Sequence, residues 1–257
     1  MLARDMRLSD IQVKQYWDRG YLVVKELITE GSLSRYSSRF EEIVNGPDEV
    51  SSSVKVMKDV MVVKGEVQME RPIDEVNKLF SLEDDPIFFD YISDVKLVSA
   101  VQSLLGETVF SLASNVFNKP PGLDGRHPMH QDLRYFKMGP ANEIVGVWTS
   151  MGVADRESGC LSVIPESHKG GLLEHSLPDW KFINHGFYGI QDHNRDHRVH
   201  LPMSPGDTLL FHPLLVHGSG RNRSGACRRA ISAHYASDCC TSEKGDWREY
   251  ALTRKVS

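Results

Sequence analysis

The chain changes character at Gly106. Beyond it, short runs rich in β-branched and aromatic residues alternate with turns marked by glycine and proline. They are Thr108–Phe117, Ile144–Val153, Cys160–Ile164, Val199–Leu201, Thr208–Phe211 and Ala230–Ala236. Strands this short bury their apolar side chains only by packing together, so the pattern predicts a sandwich or barrel. Before Gly106 the periodicity is mostly helical. Ser9 and Gln12 form a capping box for a helix running to about Arg19, and Gly20 stands where a C-cap glycine belongs. Tyr21–Val24 reads as a short strand, Ser32–Val44 as an amphipathic helix, and residues 46–56 as a polar surface loop. Pro86 suits a first helical turn, with Ile87, Phe88 and Tyr91 at helical spacing, and a further helix runs from about Asp94 to Leu105. Helices first and strands later predict an α+β, mainly β fold. The natural candidate is a double-stranded β-helix (a jelly roll, cupin-like) with the N-terminal helices packed on one sheet. The expected organisation is one domain over residues 1–257. It comprises a helical part (1–106), a jelly-roll core (107–240) and a short tail (241–257).

Bulk properties narrow the function classes. A length of 257 residues fits one large domain with a well-buried core. The net charge of −5, with no basic block, argues against a nucleic-acid partner. Cys160, Cys227, Cys239 and Cys240 are irregularly placed and form no C-x-x-C, so a reduced, intracellular compartment is expected. Met1–Asp5 lacks the apolar run of a signal peptide, and no apolar stretch reaches the length of a membrane span. The last residues, Lys255-Val256-Ser257, are not the Ser-Lys-Leu peroxisomal address, which leaves the cytoplasm as the default. Nothing in the sequence reports oligomeric state.

One constellation carries chemistry. His130-Gln131-Asp132 offers an imidazole and a carboxylate, expected on one strand, and His217 lies 85 residues beyond Asp132. Two histidines and one carboxylate on one face of a metal form the ligand set of a non-haem Fe(II) oxygenase, with positions left open for O₂ and a co-substrate. His-x-Asp/Glu alone is weak: about 1.5 such tripeptides are expected by chance in a chain of this composition. A surface polar pair is the bland alternative. Within Pro205–Gly220 a turn feeds an apolar strand, which His217 is expected to end beside small residues. His212 is its local competitor and reads better as a core or rim histidine. Arg228, 11 residues after His217, enters the last strand, where a guanidinium can clamp a carboxylate bidentately. Cys160 reads as a small core residue. His175, His185, His193, His197 and His200 fall in a polar stretch and read as a surface or lid loop.

Together these segments resemble the phytanoyl-CoA dioxygenase family of Fe(II)/2-oxoglutarate oxygenases. The resemblance is carried by Asn118-Lys119-Pro120-Pro121, Arg126–Phe136, Gly159-Cys160-Leu161 with Ser167-His168-Lys169-Gly170, Gly189–Asp192 and His212–Gly220, followed by Asn222 and Arg228. It spans roughly residues 76–240. It implies iron ligands His130, Asp132 and His217, and a 2-oxoglutarate distal carboxylate held by Arg228 with help from Ser219. Trp148 and Lys78 fall at co-substrate contact positions. Asn115 falls at another, where the family's acyl-CoA hydroxylase carries an apolar residue. Asp132 argues for hydroxylation, because related halogenases carry a small residue there. The implied cofactors are Fe(II) and 2-oxoglutarate, with ascorbate as supporting reductant. O₂ is the oxidant and the implied substrate is a 3-methyl-branched acyl-CoA hydroxylated at C2, with succinate and CO₂ released. The stretch Leu172–His200 is expected to cover the site.

The family's amino-terminal peroxisomal signal is not met, because Arg7-Leu8 is followed after five residues by Lys14-Gln15. Peroxisomal residence therefore rests on the resemblance. Lys and Arg are too scattered in sequence to name a basic site for CoA phosphates. Three other readings stay open: the same chemistry on another small molecule, a non-catalytic jelly roll that binds 2-oxoglutarate or metal, and a zinc hydrolase.

Overall fold

The computed structural model describes residues 7–46, 53–190, 197–243 and 245–257. The helices are α1 (Asp10–Arg19), α2 (Glu30–Val44), α3 (Val60–Val63), α4 (Pro72–Glu75), α5 (Pro86–Ile92) and α6 (Val95–Leu105). The strands in chain order are β1 (Tyr21–Val24), β2 (Lys55–Lys58), β3 (Val76–Phe80), β4 (Val109–Lys119), β5 (His127–His130), β6 (Met138–Gly139), β7 (Ile144–Ser150), β8 (Leu161–Val163), β9 (Val199–Leu201), β10 (Thr208–Phe211), β11 (His217–Ser219), β12 (Arg228–Ser237), β13 (Thr241–Ser242) and β14 (Arg254–Lys255).

Two antiparallel sheets form a jelly roll. The large one runs β1-β10-β7-β12-β4-β3-β2, with β14 also on β4, and the small one runs β5-β11-β8-β9. The large sheet draws on more of the chain than residues 107–240, since β1, β2 and β3 precede that segment and β14 follows it. Helices cover its outer face. Tyr16, Tyr36, Phe40, Phe88, Tyr91 and Leu97 pack there against Val147, Leu210, Ile231 and Tyr235. Its inner face meets the small sheet through Trp148, Leu161, Val163, Leu209, Phe211 and Ala230. Neighbouring residues thus point opposite ways, as the period of two requires: Leu210 packs with the helices while Leu209 and Phe211 point inward. With both faces covered, every residue of β7 is buried.

The local signals of α1 hold. Ser9 Oγ accepts from Gln12 N, the reciprocal bond is made, and Gly20 closes the helix at φ 83°. The second helix starts at Glu30, two residues earlier than expected, because Thr29 caps it. The loop expected over 46–56 needs correction. Residues 47–52 lie outside the described residues, and Lys55–Lys58 form β2. That strand, Lys-Val-Met-Lys, is a mostly exposed sheet edge paired to β3, with a lysine at each end and no apolar alternation.

Candidate metal and co-substrate site

Strand β11 lies between β5 and β8 and sets His217 opposite His130 across the ladder. Gly218 makes this approach possible. A Cβ there would stand 2.8 Å from His127 O and 2.9 Å from Pro128 O, so only glycine lets the strands close this tightly. Two expectations are corrected here. His130 and Asp132 do not share a strand: His130 ends β5, and Asp132 opens a 3₁₀ turn, Asp132–Tyr135, after the extended Gln131. His217 does not end the apolar strand, since β10 stops at Phe211 and a turn carries the chain to β11 in the other sheet. The turn explains the ligand geometry. Strict alternation would keep residues 130 and 132 in line along one strand, whereas the bend brings the carboxylate beside the imidazole.

His130 Nε2 stands 3.0 Å from Asp132 Oδ1, and His217 Nε2 stands 3.8 Å from the same oxygen. One donor atom from each of the three buried residues falls within 4.8 Å of the others. Each imidazole is oriented by its other nitrogen: His130 Nδ1 donates to Pro128 O at 2.8 Å, and His217 Nδ1 donates to Leu215 O at 3.0 Å. Those bonds fix the tautomer and turn the Nε2 lone pairs inward. Burial and the neighbouring His130 push His217 down to about 4, so its imidazole is neutral at physiological pH. Burial pushes the Asp132 carboxyl up, but the surrounding His217 and His234 outweigh it and hold the group well below the usual carboxylate range. Two imidazoles and one carboxylate, converging with their second atoms tied, fit a divalent iron ion.

All eight residues singled out from the sequence line one cavity of about 580 Å³: His130, Asp132, His217, Arg228, Lys78, Asn115, Trp148 and Ser219. Arg228 opens β12 and is 3% exposed. Its Nη2 donates to Gly159 O at 3.2 Å, its guanidinium stands 5.4 Å from the Trp148 ring, and its Nε is buried with no partner. Burial lowers it to about 10, which still leaves it charged. A buried cation with an unmade bond suits an anionic ligand. Lys78 Nζ lies 5.1 Å from the Phe80 ring and 5.7 Å from those of Phe117 and Phe187. Asn115 Nδ2 donates to Ser232 Oγ at 3.4 Å.

Three residues of this cavity escaped the sequence reading. His234 Nε2 donates to Asp132 Oδ2 at 2.7 Å, leaving Oδ1 to face the imidazoles. Its face of β12 was legible, since Arg228, Ser232 and His234 follow a period of two. His127 stacks between His130 at 4.2 Å and Phe187 at 4.0 Å. Lys119, also buried, donates to Ser219 Oγ at 2.8 Å and Gly220 O at 2.5 Å. Gln131 faces away from the three converging groups and clamps the surrounding loops, donating to Gly171 O and Leu214 O and accepting from Leu173 N.

Of the histidines read as loop residues, His185 lines the cavity and His175 accepts from Gln131 N at 2.9 Å, so both lie closer to the site than expected. His193 lies outside the described residues. His212 is a buried histidine outside the cavity, with Nε2 bonded to Asn142 Oδ1, and Cys160 is a core residue. Part of the expected covering stretch, His185–Tyr188, lines the cavity. Among the described residues, no helix is long and apolar enough to cross a membrane.

Comparison with known proteins agrees with this geometry. The family model for phytanoyl-CoA dioxygenase (PhyH) matches residues 16–230. The peroxisomal phytanoyl-CoA dioxygenase of Bos taurus is 40% identical over 239 residues, covering 91% of this chain and 70% of the relative. The probable phytanoyl-CoA dioxygenase of Caenorhabditis elegans is 39% identical over 239 residues, covering 90% and 76%. In fold, the chain is similar to the non-heme alpha ketoglutarate dependent carbocyclase SnoK from nogalamycin biosynthesis, with a TM-score of 0.68 at 18% identity over 97% of both chains. It is likewise similar to EctD from S. alaskensis with 2-oxoglutarate and 5-hydroxyectoine, with a TM-score of 0.68 at 17% identity over 92% of this chain and 79% of that one. Sequence, fold and converging ligand atoms agree: the chain belongs to the phytanoyl-CoA dioxygenase family of Fe(II)- and 2-oxoglutarate-dependent oxygenases.

Proposed function

We propose that this chain hydroxylates a branched-chain acyl-CoA, such as phytanoyl-CoA, at C2. 2-Oxoglutarate and O₂ are consumed, and succinate and CO₂ are released. The observation that carries the reading is the single cavity holding His130, Asp132 and His217 at one place and the unsatisfied buried Arg228 at another. In this reading His130, Asp132 and His217 hold Fe(II), which with 2-oxoglutarate supplies the oxidising power for hydroxylation. Arg228 binds the distal carboxylate of 2-oxoglutarate as a planar fork, fixing the reacting end at the metal. Ser219, held by Lys119, adds a second contact, and Trp148, Lys78 and Asn115 complete the co-substrate wall. His234 holds Asp132 Oδ2 so that Oδ1 alone faces the metal. Met57, Phe80, Phe117 and Phe187 give the chamber an apolar lining, which suits a branched alkyl chain and excludes water from the reacting carbon. Ascorbate would keep the iron reduced.

Another small-molecule substrate is favoured by one observation: Asn77, Asn115 and Lys78 bring polar groups into the same chamber. The test offers purified protein phytanoyl-CoA, the free acid and amino-acid derivatives, with Fe(II), ascorbate and 2-oxoglutarate, and identifies products by mass. Formation of 2-hydroxyphytanoyl-CoA at the rate of succinate release supports the reading. Faster coupled turnover of a non-CoA substrate would replace it. The relatives of Bos taurus and Homo sapiens are named as peroxisomal, and intracellular residence with the peroxisome as the compartment is proposed here on that likeness. Imaging the tagged chain against a peroxisomal marker tests it.

A further inference from the structure

We infer that a second cavity beside the first takes the phosphoadenosine end of a coenzyme A thioester. The inference rests on the acyl-CoA reading and assigns the head-group site which that reading lacks. Arg126, Arg198 and Arg223 are scattered in the sequence, yet they line one space of about 660 Å³. That volume lies in the range of small-molecule and cofactor sites. Trp180 lines the same space, with the Arg126 guanidinium 4.0 Å from its ring.

The charge there is one-sided. Arg126 and a neighbouring arginine, Arg221, both bind the carboxylate of Asp124, so one acid answers two guanidiniums. Asp179 is the one carboxylate lining the cavity among the described residues. Among the described residues, three arginines and one aspartate line this wall, in a chain whose net charge is −5. Arg223 is exposed and Arg126 and Arg198 are half-buried, so an entering anion keeps part of its hydration.

The phosphoadenosine group of CoA matches this wall. It carries a 3′-phosphate and a 5′-diphosphate, and guanidinium forks bind phosphate bidentately. Its adenine offers a flat face to an indole ring, a contact that is sequence-tolerant in nucleotide binding generally. The two cavities share His127 and Ser219. A head group in the second therefore lies next to the chamber, and the flexible pantetheine arm can carry the thioester into it.

The test measures binding of adenosine 3′,5′-bisphosphate, CoA and inorganic phosphate by calorimetry. It compares the full chain with the Arg198→Ala/Arg223→Ala double variant and the corresponding double lysine variant. The nucleotide and CoA are expected to bind the wild type, and the alanine variant to lose affinity about tenfold or more. The lysine variant is expected to fall between, which a misfolded protein would not do. In turnover, the KM for phytanoyl-CoA should rise about tenfold or more in the alanine variant, and that for phytanoyl-pantetheine less than about twofold. Unchanged nucleotide affinity in the alanine variant would overturn the assignment. So would inorganic phosphate binding as tightly as the nucleotide, which would make this a free-anion site. Arginine-dependent nucleotide binding without turnover of phytanoyl-CoA would support the cavity assignment while removing the proposed substrate.

Discussion

The two faces of β12 place opposite demands on one strand. On its outer face Ile231, Ala233 and Tyr235 pack into the helix-covered core. On its inner face Arg228, Ser232 and His234 are equally buried but line the ligand chamber. Burying polar groups opposes folding unless they are bonded, and here Arg228 Nε and His234 Nδ1 are buried without partners. The outer face therefore stabilises the protein, and the inner face holds the groups to which the proposed function assigns ligand binding and positioning. Substitutions on the outer face should move stability and leave KM alone, and substitutions on the inner face should do the reverse.

The largest effect is expected from His217→Ala, which removes one of the three residues proposed to hold the metal. Succinate formation should fall to background while circular dichroism and cooperative unfolding persist; undiminished succinate would break the comparison at its centre. Next is Ile231→Ala on the outer face. Chemical denaturation should show a loss of about 2–5 kcal/mol, with the KM for 2-oxoglutarate unchanged. Arg228→Leu should raise that KM roughly 10- to 100-fold, as expected for losing a charge-assisted hydrogen-bond pair worth about 1.5–3 kcal/mol. An unchanged KM would mean the distal carboxylate is held elsewhere.

His234→Leu should weaken divalent-metal affinity about 10- to 100-fold. His234→Gln, which can still donate to Asp132 Oδ2, should recover much of it. Equal affinities for the two variants would show that His234 only fills space. The smallest effect concerns Asp207, remote from the chamber, which accepts from Lys25 Nζ, Glu26 N and Ser204 N. Burial raises its carboxyl, but these bonds outweigh that and hold it below the usual range. A depressed folded value stabilises the protein above the unfolded carboxylate pKa, about 3.9, and that stability is lost as pH falls through the folded value. Asp207→Asn should cost about 1 kcal/mol at neutral pH, with the gap closing in acid.

Legibility in the sequence followed the same division. Helices with caps and amphipathic spacing were readable, as the Ser9–Gln12 box and the Asp94 cap illustrate. The longer runs of β4, β7 and β12 were readable too, because their β-branched and aromatic content stands out between turns. The short strands that carry His130 and His217 were not. β5 has four residues including Pro128, and β11 has three including Gly218, so neither shows a strand period. Their pairing is enforced by the tight approach at Gly218 rather than by propensity. His130, Asp132 and His217 were singled out through motif spacing and family resemblance. His127, Lys119 and the arginines of the second cavity carry no spacing signal, because folding alone brings them together.

An anaerobic titration of the chain with Fe(II) in the presence of 2-oxoglutarate, followed by visible charge-transfer absorption, tests the chamber most directly. A band saturating at one equivalent of iron, abolished in His217→Ala and restored only at much higher 2-oxoglutarate in Arg228→Leu, is the expected result. No band, or a band of equal strength in the His217→Ala protein, would contradict the assignment of this chamber as the iron and 2-oxoglutarate site.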